Sequence, residues 1–363
     1  MEKREIEIRK SVINNEEGIT LLHPMVFWWN KTVSYLDQKF TKLGYKQVYT
    51  NNLYSFVEGV DELSTGYYSL SYTRDNVEFV SYGKYSNEIE EARNITIDIL
   101  EIYNLLGKEL FAVPFLLGKL PLEQDKNILT TYCGSRFIEA SYLGKKDGEY
   151  YSYSKISYDI IHTLIGIHSD ENGLIMPPKI ADTQIVIVPL KQNEKGVLKT
   201  CRSLYEQLIS KGFRVLLDDS SKLTTKEKKE SYIKSGIPLI IELGPRDVER
   251  NVIEIIIRDN LDKIELENDS NLSMMIDNLL NKMHKRMYNR ILINNIKNEK
   301  VIFNKDDLTN YENKICKVSW CGEEECLKGY KDKLSFISFN QQNKQDKCLF
   351  CSRKSKYIIS MKN

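Results

Sequence analysis

Residues 173–189 read Gly173-Leu174-Ile175-Met176-Pro177-Pro178-Lys179-Ile180-Ala181-Asp182-Thr183-Gln184-Ile185-Val186-Ile187-Val188-Pro189. The paired prolines remove two backbone donors and push the residues before them into extended backbone, so this stretch is a linker and a domain boundary falls near residue 180. Directly beyond it, Gln184 to Val188 is a short, largely apolar run without alternation, the pattern of a strand buried on both faces.

The α/β alternation continues downstream. A helix follows with Val197, Cys201, Leu204 and Leu208 on one face, then strands at Arg214–Leu217, Pro238–Leu243 and Val252–Ile257. A long amphipathic helix carrying Leu272, Met275, Ile276, Leu279, Met283 and Met287 closes this unit, and core packing accounts for its stripe. The segment 179–290 is therefore expected to be a compact α/β domain.

Upstream, a strand-like piece lies within Gly18 to Met25. Phe27, Val33, Leu36 and Phe40 recur near helical spacing up to Gly44, a residue suited to a left-handed cap. Tyr45–Tyr49, Tyr67–Tyr72 and Val77–Tyr82 are rich in Tyr, Val and Phe between polar breaks, which predicts an antiparallel sheet. Glu88 to Leu106 returns to helical spacing.

The tail carries Cys321, Cys326, Cys348 and Cys351 as C-x4-C, twenty-one residues, C-x2-C. Two short-spaced pairs of thiolates can close a tetrahedral shell around Zn2+. Disulfides and unconnected cysteines are the competing readings. Against disulfides stand the odd total of seven cysteines, three of them (Cys133, Cys201, Cys316) outside the pairs, and the lack of a secretory leader. A closed four-sulfur shell leaves no open position, so this metal would be structural.

At 363 residues, 41% of them apolar, the chain has room for two or three domains with real cores. With 52 basic and 51 acidic residues the net charge is +1, so no global field draws it to nucleic acid or membrane. Lys282, Lys285, Arg286, Arg290, Lys297 and Lys300 crowd one helical stretch, either an RNA-facing surface or a solvated helix face. No apolar run is long enough to span a bilayer, and a cytoplasmic location is expected.

The linker and strand at 173–189, Ile167-His168-Ser169-Asp170-Glu171-Asn172-Gly173 just ahead of it, Gly236-Ile237-Pro238-Leu239, Gly244-Pro245-Arg246-Asp247, Arg258-Asp259 and the four cysteines beside Trp320 together resemble prolyl-tRNA synthetases of the archaeal and eukaryotic type, in that family's order. More faintly, Gly18 to Phe40 resembles the class II motif 1 segment, which builds the dimer interface in that family; Phe79 to Ala92 resembles the end of motif 2, and Leu143-Gly144 the T-S-H-x-L-G segment. The resemblance implies an α+β class II synthetase-like antiparallel-sheet core at 1–178, an α/β anticodon-binding-type domain at 179–290 and a small C-terminal zinc module at 291–363. It also implies a homodimer through the motif 1-like segment.

The departures fall where chemistry occurs. Adenylate formation needs cations to offset charge on the triphosphate, and class II synthetases supply arginines from motifs 2 and 3. Aligned on His168, the motif 3 position holds Asp159; only Val57 to Asn87 replaces the far longer segment with the R-P-T-S-E element and the motif 2 R-W-E; Tyr142 stands for the histidine of T-S-H-x-L-G. The acidic residue and arginine that read anticodon bases in the family align with Ile233 and Ile240. Lys228, Arg246, Arg258 and Lys263 remain as cations that can meet RNA phosphate without reading sequence.

The departures favour a non-aminoacylating paralogue, a binding or regulatory subunit for tRNA, a small ligand or a partner enzyme. A shortened but active proline-tRNA ligase is the alternative, with Arg74, Arg136 and Glu139 as candidate catalytic groups, Lys145 and Lys146 as further cations, and ATP with Mg2+ as co-reactants. An RNA-binding accessory protein is the third. His168 is expected to be a hydrogen-bonded structural histidine and Cys133 a packed thiol. Tyr150, Tyr151 and Tyr153 form either a stacking platform or a half-buried strand.

Overall fold

A computed structural model describes residues 12–15, 18–50, 53–59, 66–72, 76–83, 86–120, 123–130, 138–194, 196–310, 314–338 and 347–362. Strands β1 (Val12–Asn15) and β2 (Gly18–Leu21) pair antiparallel and lead into helix α1 (Met25–Lys42). Its buried residues Met25, Trp28, Trp29, Thr32, Leu36 and Phe40 trace one helical stripe, and the chain turns away at Gly44 with φ +88°. The strand expected over 45–49 shrinks to β3 (Lys46–Gln47), with Tyr49 93% exposed. A short helix α2 (Leu53–Glu58) precedes the antiparallel pair of β4 (Tyr67–Tyr72) and β5 (Val77–Tyr82), whose last partners are Tyr72 and Val77.

Helix α3 (Ile89–Leu106) runs into a single π turn, Gly107–Phe111, closed by Ala112 at φ 54°. Then come β6 (Leu116–Leu120), β7 (Glu123–Thr130), β8 (Ile138–Lys146), β9 (Glu149–Ser157), helix α4 (Ile160–Ile167) and the small hairpin of β10 (Ser169–Asp170) and β11 (Gly173–Leu174). Phe40, Phe79, Tyr103 and Ile156 share the core in which α1, α3 and α4 pack on one face of the sheet.

Beyond the linker, β12 (Ile185–Pro189), helix α5 (Val197–Ser210), β13 (Val215–Leu217), helix α6 (Thr225–Ser235), β14 (Leu239–Leu243), helix α7 (Pro245–Arg250), β15 (Val252–Ile257) and β16 (Lys263–Glu267) form a sheet of order β13-β12-β14-β15-β16. β12, β13 and β14 are parallel, while β15 and β16 are antiparallel additions. Both faces are covered, as the unalternating strands required: Ile185, Ile187 and Ile241 pack with α5 and α8 (Leu272–Asn298), Val186, Val188 and Ile240 with Tyr232 and Ile233 of α6. A capping box starts α6, with Thr224 Oγ1 accepting from Glu227 N and the Glu227 carboxylate accepting from Thr224 N.

The linker is pinned to this domain. Arg214 donates to the carbonyls of Ala181 (2.6 Å) and Pro178 (2.9 Å), and Met176 N donates to Gly236 O at 3.1 Å. Gly236 has φ +84°, and a Cβ there would lie 2.6 Å from the Leu174 carbonyl, so only glycine fits this crossing.

Helix α8 buries Leu272, Ile276, Leu280, Met283, Met287, Ile291 and Asn295; Leu272, Ile276, Met283 and Met287 are buried as expected, while Met275 is 37% exposed and Leu279 only partly buried beside the buried Leu280. It runs unbroken through residue 290, so the division expected there falls inside a helix. The C-terminal module follows as β17 (Glu299–Val301), β18 (Ile315–Trp320), a 3-10 segment at Glu324–Lys333, β19 (Leu334–Ser338) and β20 (Tyr357–Lys362). It is not a separate body, because β19 pairs with β6 through Ile337–Lys119 and Ser338–Gly118. One sheet of eleven strands results, ordered β17-β18-β20-β19-β6-β7-β8-β9-β5-β4-β3.

Candidate functional site

The module brings Cys321, Cys326, Cys348 and Cys351 together, all four sulfurs lying within 4.8 Å of one another. Cys321 Sγ is 3.7 Å from Cys326 Sγ and 3.6 Å from Cys351 Sγ. These are the edges of a tetrahedron whose centre-to-sulfur distance is about 2.3 Å, the Zn–S length. They are far too long for an S–S bond of about 2.05 Å. The donor set therefore fits a metal ion and not disulfides.

Cys321 leaves the end of β18, Cys326 sits in the 3-10 segment, and Cys348 and Cys351 form a knuckle ahead of β20. The knuckle is fixed by Leu349 N to Ser319 O (2.9 Å), Cys348 N to Arg353 O (2.6 Å) and Lys356 N to Trp320 O (2.8 Å), while the Trp320 indole donates to Glu323 O at 3.0 Å. The backbone N–H of Arg353 draws the Cys351 thiol down to about 6; burial raises Cys321 and Cys326. Four sulfurs close the shell, so bound metal would hold the knuckle against β18 and offer substrate no position.

The face of β4, β5 and β9 turned away from α1 and α3 carries polar and charged side chains. Strand register places Tyr67, Tyr82 and Tyr153 in one row across it, Ser69, Val80 and Lys155 in the next, then Ser71, Glu78 and Ser157. Lys155 Nζ stands 3.7 Å from Glu78 Oε1. Asn76 Nδ2 donates to the same Glu78 oxygen at 2.7 Å, Ser157 donates to Asn76 Oδ1 at 2.7 Å, and Asp159 N donates to Ser157 Oγ at 3.3 Å. Among the described residues of these three rows the only cation is Lys155, and it already faces a carboxylate. Arg74 and Arg136 lie outside the described residues, as does Cys133; of Glu139 only the backbone is described, opposite Ile128 on β7.

The tyrosines belong to a packed strand. Tyr82 meets Tyr151 (centroids 5.5 Å) and Tyr153 (4.7 Å) under Leu53 and Val57 of α2, and Tyr150 lies beneath Lys145 Nζ at 5.0 Å. His168 is structural, as expected. It is fully buried, with Nε2 2.7 Å from the Phe111 carbonyl, and burial lowers its pKa to about 3.

Two of the four cations expected at an RNA surface are not there. Arg258 is 0% exposed, with bonds of 2.7 and 2.9 Å to the Asp170 carboxylate and 2.6 Å to Ile233 O. Lys228 is 4% exposed and donates to the carbonyls of Asp218 (3.0 Å) and Ser220 (2.6 Å). Burial works to raise the Asp218 carboxyl, but bonds from Ser220, Tyr232 and Lys228 bring it down to about 2. Both cations consolidate the domain instead. Arg246 is exposed on α7, and Lys263 is half exposed but bonds Glu254 at 2.6 Å. Ile240 is fully buried and Ile233 half-buried in one apolar cluster, so neither position offers a base-edge bond.

Sequence reasoning missed the Glu78–Lys155 pair and Asp170 as the partner of Arg258. Neither had a local signal, since each joins elements far apart in the chain, Arg258 and Asp170 being 88 residues apart.

The family described as anticodon binding domain matches residues 184–285. The chain is 30% identical over 306 residues to the proline–tRNA ligase of Acetoanaerobium sticklandii, covering 74% of this chain and 63% of that one. It is 30% identical over 303 residues to a proline–tRNA ligase of Clostridium botulinum, with coverage of 74% and 63%. It is also 28% identical over 305 residues to proline–tRNA ligase 2 of Clostridioides difficile, with coverage of 75% and 63%. The chain thus spans 63% of the length of these relatives. It is prolyl-tRNA synthetase-like and carries an anticodon-binding domain, as its motifs implied.

Proposed function

We propose that this chain is a synthetase-like protein that does not form an aminoacyl-adenylate and acts as a binding or regulatory subunit holding tRNA by its phosphates. The observation that carries this is the electrostatics of the sheet face, where Lys155 Nζ stands 3.7 Å from the Glu78 carboxylate. A triphosphate needs uncompensated positive charge there to offset the leaving pyrophosphate. Lys155 is drawn toward Glu78, and Asp159 stands at the start of α4, where the family carries an arginine. The spacing of β4 and β5 supports the same reading, because only four residues separate Tyr72 from Val77, too few for a long motif 2 loop over the nucleotide.

In this reading, residues 1–178 are the class II-like core, 179–290 the anticodon-type domain and the remainder a module held by structural Zn2+. The protein is a cytoplasmic homodimer pairing through the α1 segment. No described helix is long and apolar enough to cross a membrane. Arg246 and Lys263 are its phosphate contacts in the anticodon-type domain. Proline-dependent ATP–pyrophosphate exchange tests the proposal, with no exchange above background expected. Robust exchange that disappears in Arg74→Ala or Arg136→Ala overturns it and selects the shortened ligase.

A further inference from the structure

Around the metal knuckle the chain sets like charges against each other. Lys347 and Lys354 face across an antiparallel bridge that closes the loop carrying Cys348 and Cys351, and Arg353, Lys354 and Lys356 follow one another closely on the exposed side. Like charges directly opposite on paired strands are destabilising, and among the described residues no carboxylate lies within ion-pair distance of Lys347, Lys354 or Lys356. Aromatic rings are interleaved with these cations. Tyr357 is 39% exposed and leans on the buried Trp320 with centroids 5.6 Å apart. On the other flank Phe350 meets Tyr330 at 5.1 Å, with Lys305 Nζ 5.7 Å from the Tyr330 ring.

We infer that this knuckle is a contact for single-stranded RNA, with phosphates between Lys347, Lys354 and Lys356 and a base on the Tyr357 ring. Cations spaced among half-exposed rings on a rigid loop suit an unpaired strand, which offers phosphates and π faces together. A lipid surface would want apolar side chains at the loop tip, whereas Leu349 and Phe350 are turned partly into the module's core. Metal would serve the contact by rigidity, since the loop's shape depends on the four sulfurs. The inference rests on the RNA-holding part of the proposed function. It moves the principal contact away from the anticodon-type domain, where Lys228 and Arg258 are buried.

The test uses the full, metal-loaded chain and a fluorescein-labelled, unstructured RNA twelve-mer, with anisotropy titrations over a range of salt. Lys347→Glu with Lys354→Glu should weaken binding at least tenfold at low salt. It should also flatten the salt dependence by about 1.4, since each phosphate left without its lysine removes roughly 0.7 from the slope. Tyr357→Ala should weaken binding at least fivefold with the salt slope unchanged. Metal content per chain should stay at the wild-type value throughout. If the glutamate pair releases metal, Lys347→Gln with Lys354→Gln replaces it, with a threefold or greater loss expected. RNA binding untouched by the neutral pair and by Tyr357→Ala overturns the inference while leaving RNA holding intact. Lysines that serve only to balance the metal thiolates would give that result together with reduced metal retention. A wild-type chain that binds no RNA even at low salt overturns both.

Discussion

Arg258 and Asp170 meet across the domain join: the guanidinium, at the end of β15, is fully buried and makes two bonds of 2.7 and 2.9 Å to a carboxylate on the small β10–β11 hairpin. Asp170 also accepts from the backbone N–H groups of Asn172 (2.9 Å) and Gly173 (2.8 Å), so the hairpin's own turn aims the acid. The pair ties the anticodon-type domain to the core beside the pinned linker, and the His284 ring, with Nε2 2.9 Å from the Lys108 carbonyl, is a second tie across the same join.

Removing one partner should therefore cost more than an ordinary surface pair. Arg258→Ala is expected to destabilise by about 3 kcal/mol, at the low end for breaking a buried ion pair because Asp170 is partly exposed. Urea unfolding followed by tryptophan fluorescence would check this. The transition should shift to lower urea; an unshifted transition contradicts the assignment.

The second expectation concerns acid. Burial holds His168 at about 3 against an ordinary 6.5. An unfolded chain takes up this proton below 6.5, while the native chain waits until about 3. Stability is then whole above pH 6.5 and declines as pH falls through that window, by ~1.4 kcal/mol per pH unit. His284, also lowered by burial, works in the same direction. Denaturant midpoints at pH 7, 6 and 5 should fall in order, and His168→Gln should flatten the series.

Metal removal is the third. A strong chelator, or Cys348→Ser, should release one ion per chain and shift Trp320 emission to the red, since its indole bond to Glu323 O depends on the loop between Cys321 and Cys326. Far-ultraviolet helicity should barely change, because α5, α6 and α8 lie outside the module. Metal stoichiometry by atomic emission with parallel fluorescence decides it.

Ile240→Arg tests the sealed face. An arginine at this position should not create a base contact. It should bury a charge among Val186, Val188 and Ile256 and cost about 3 kcal/mol or more. Higher tRNA affinity without loss of stability would show that this face opens.

The two packed domains were legible because periodicity carries burial. The stripe Val197, Cys201, Leu204 and Leu208 is buried as read, and the unalternating Ile185–Val188 run lies between two cores. The four cysteines converge because ligand spacing is itself geometry. Lys228 and Arg258 were misplaced because a cation on a strand end or helix reads the same whether it meets solvent or a distant carboxylate. The module's fusion to the core was equally hidden, since nothing local in Leu334–Ser338 says which edge it will pair.

That fusion gives the molecule an order of assembly. Until β19 has left the ribosome, β6 exposes a bare row of amides and carbonyls, the kind of margin that recruits strands from other chains. A chain cut short before residue 334 would keep its anticodon-type domain yet carry a sticky border, so loss of the ribbon should first appear as clumping in the cell.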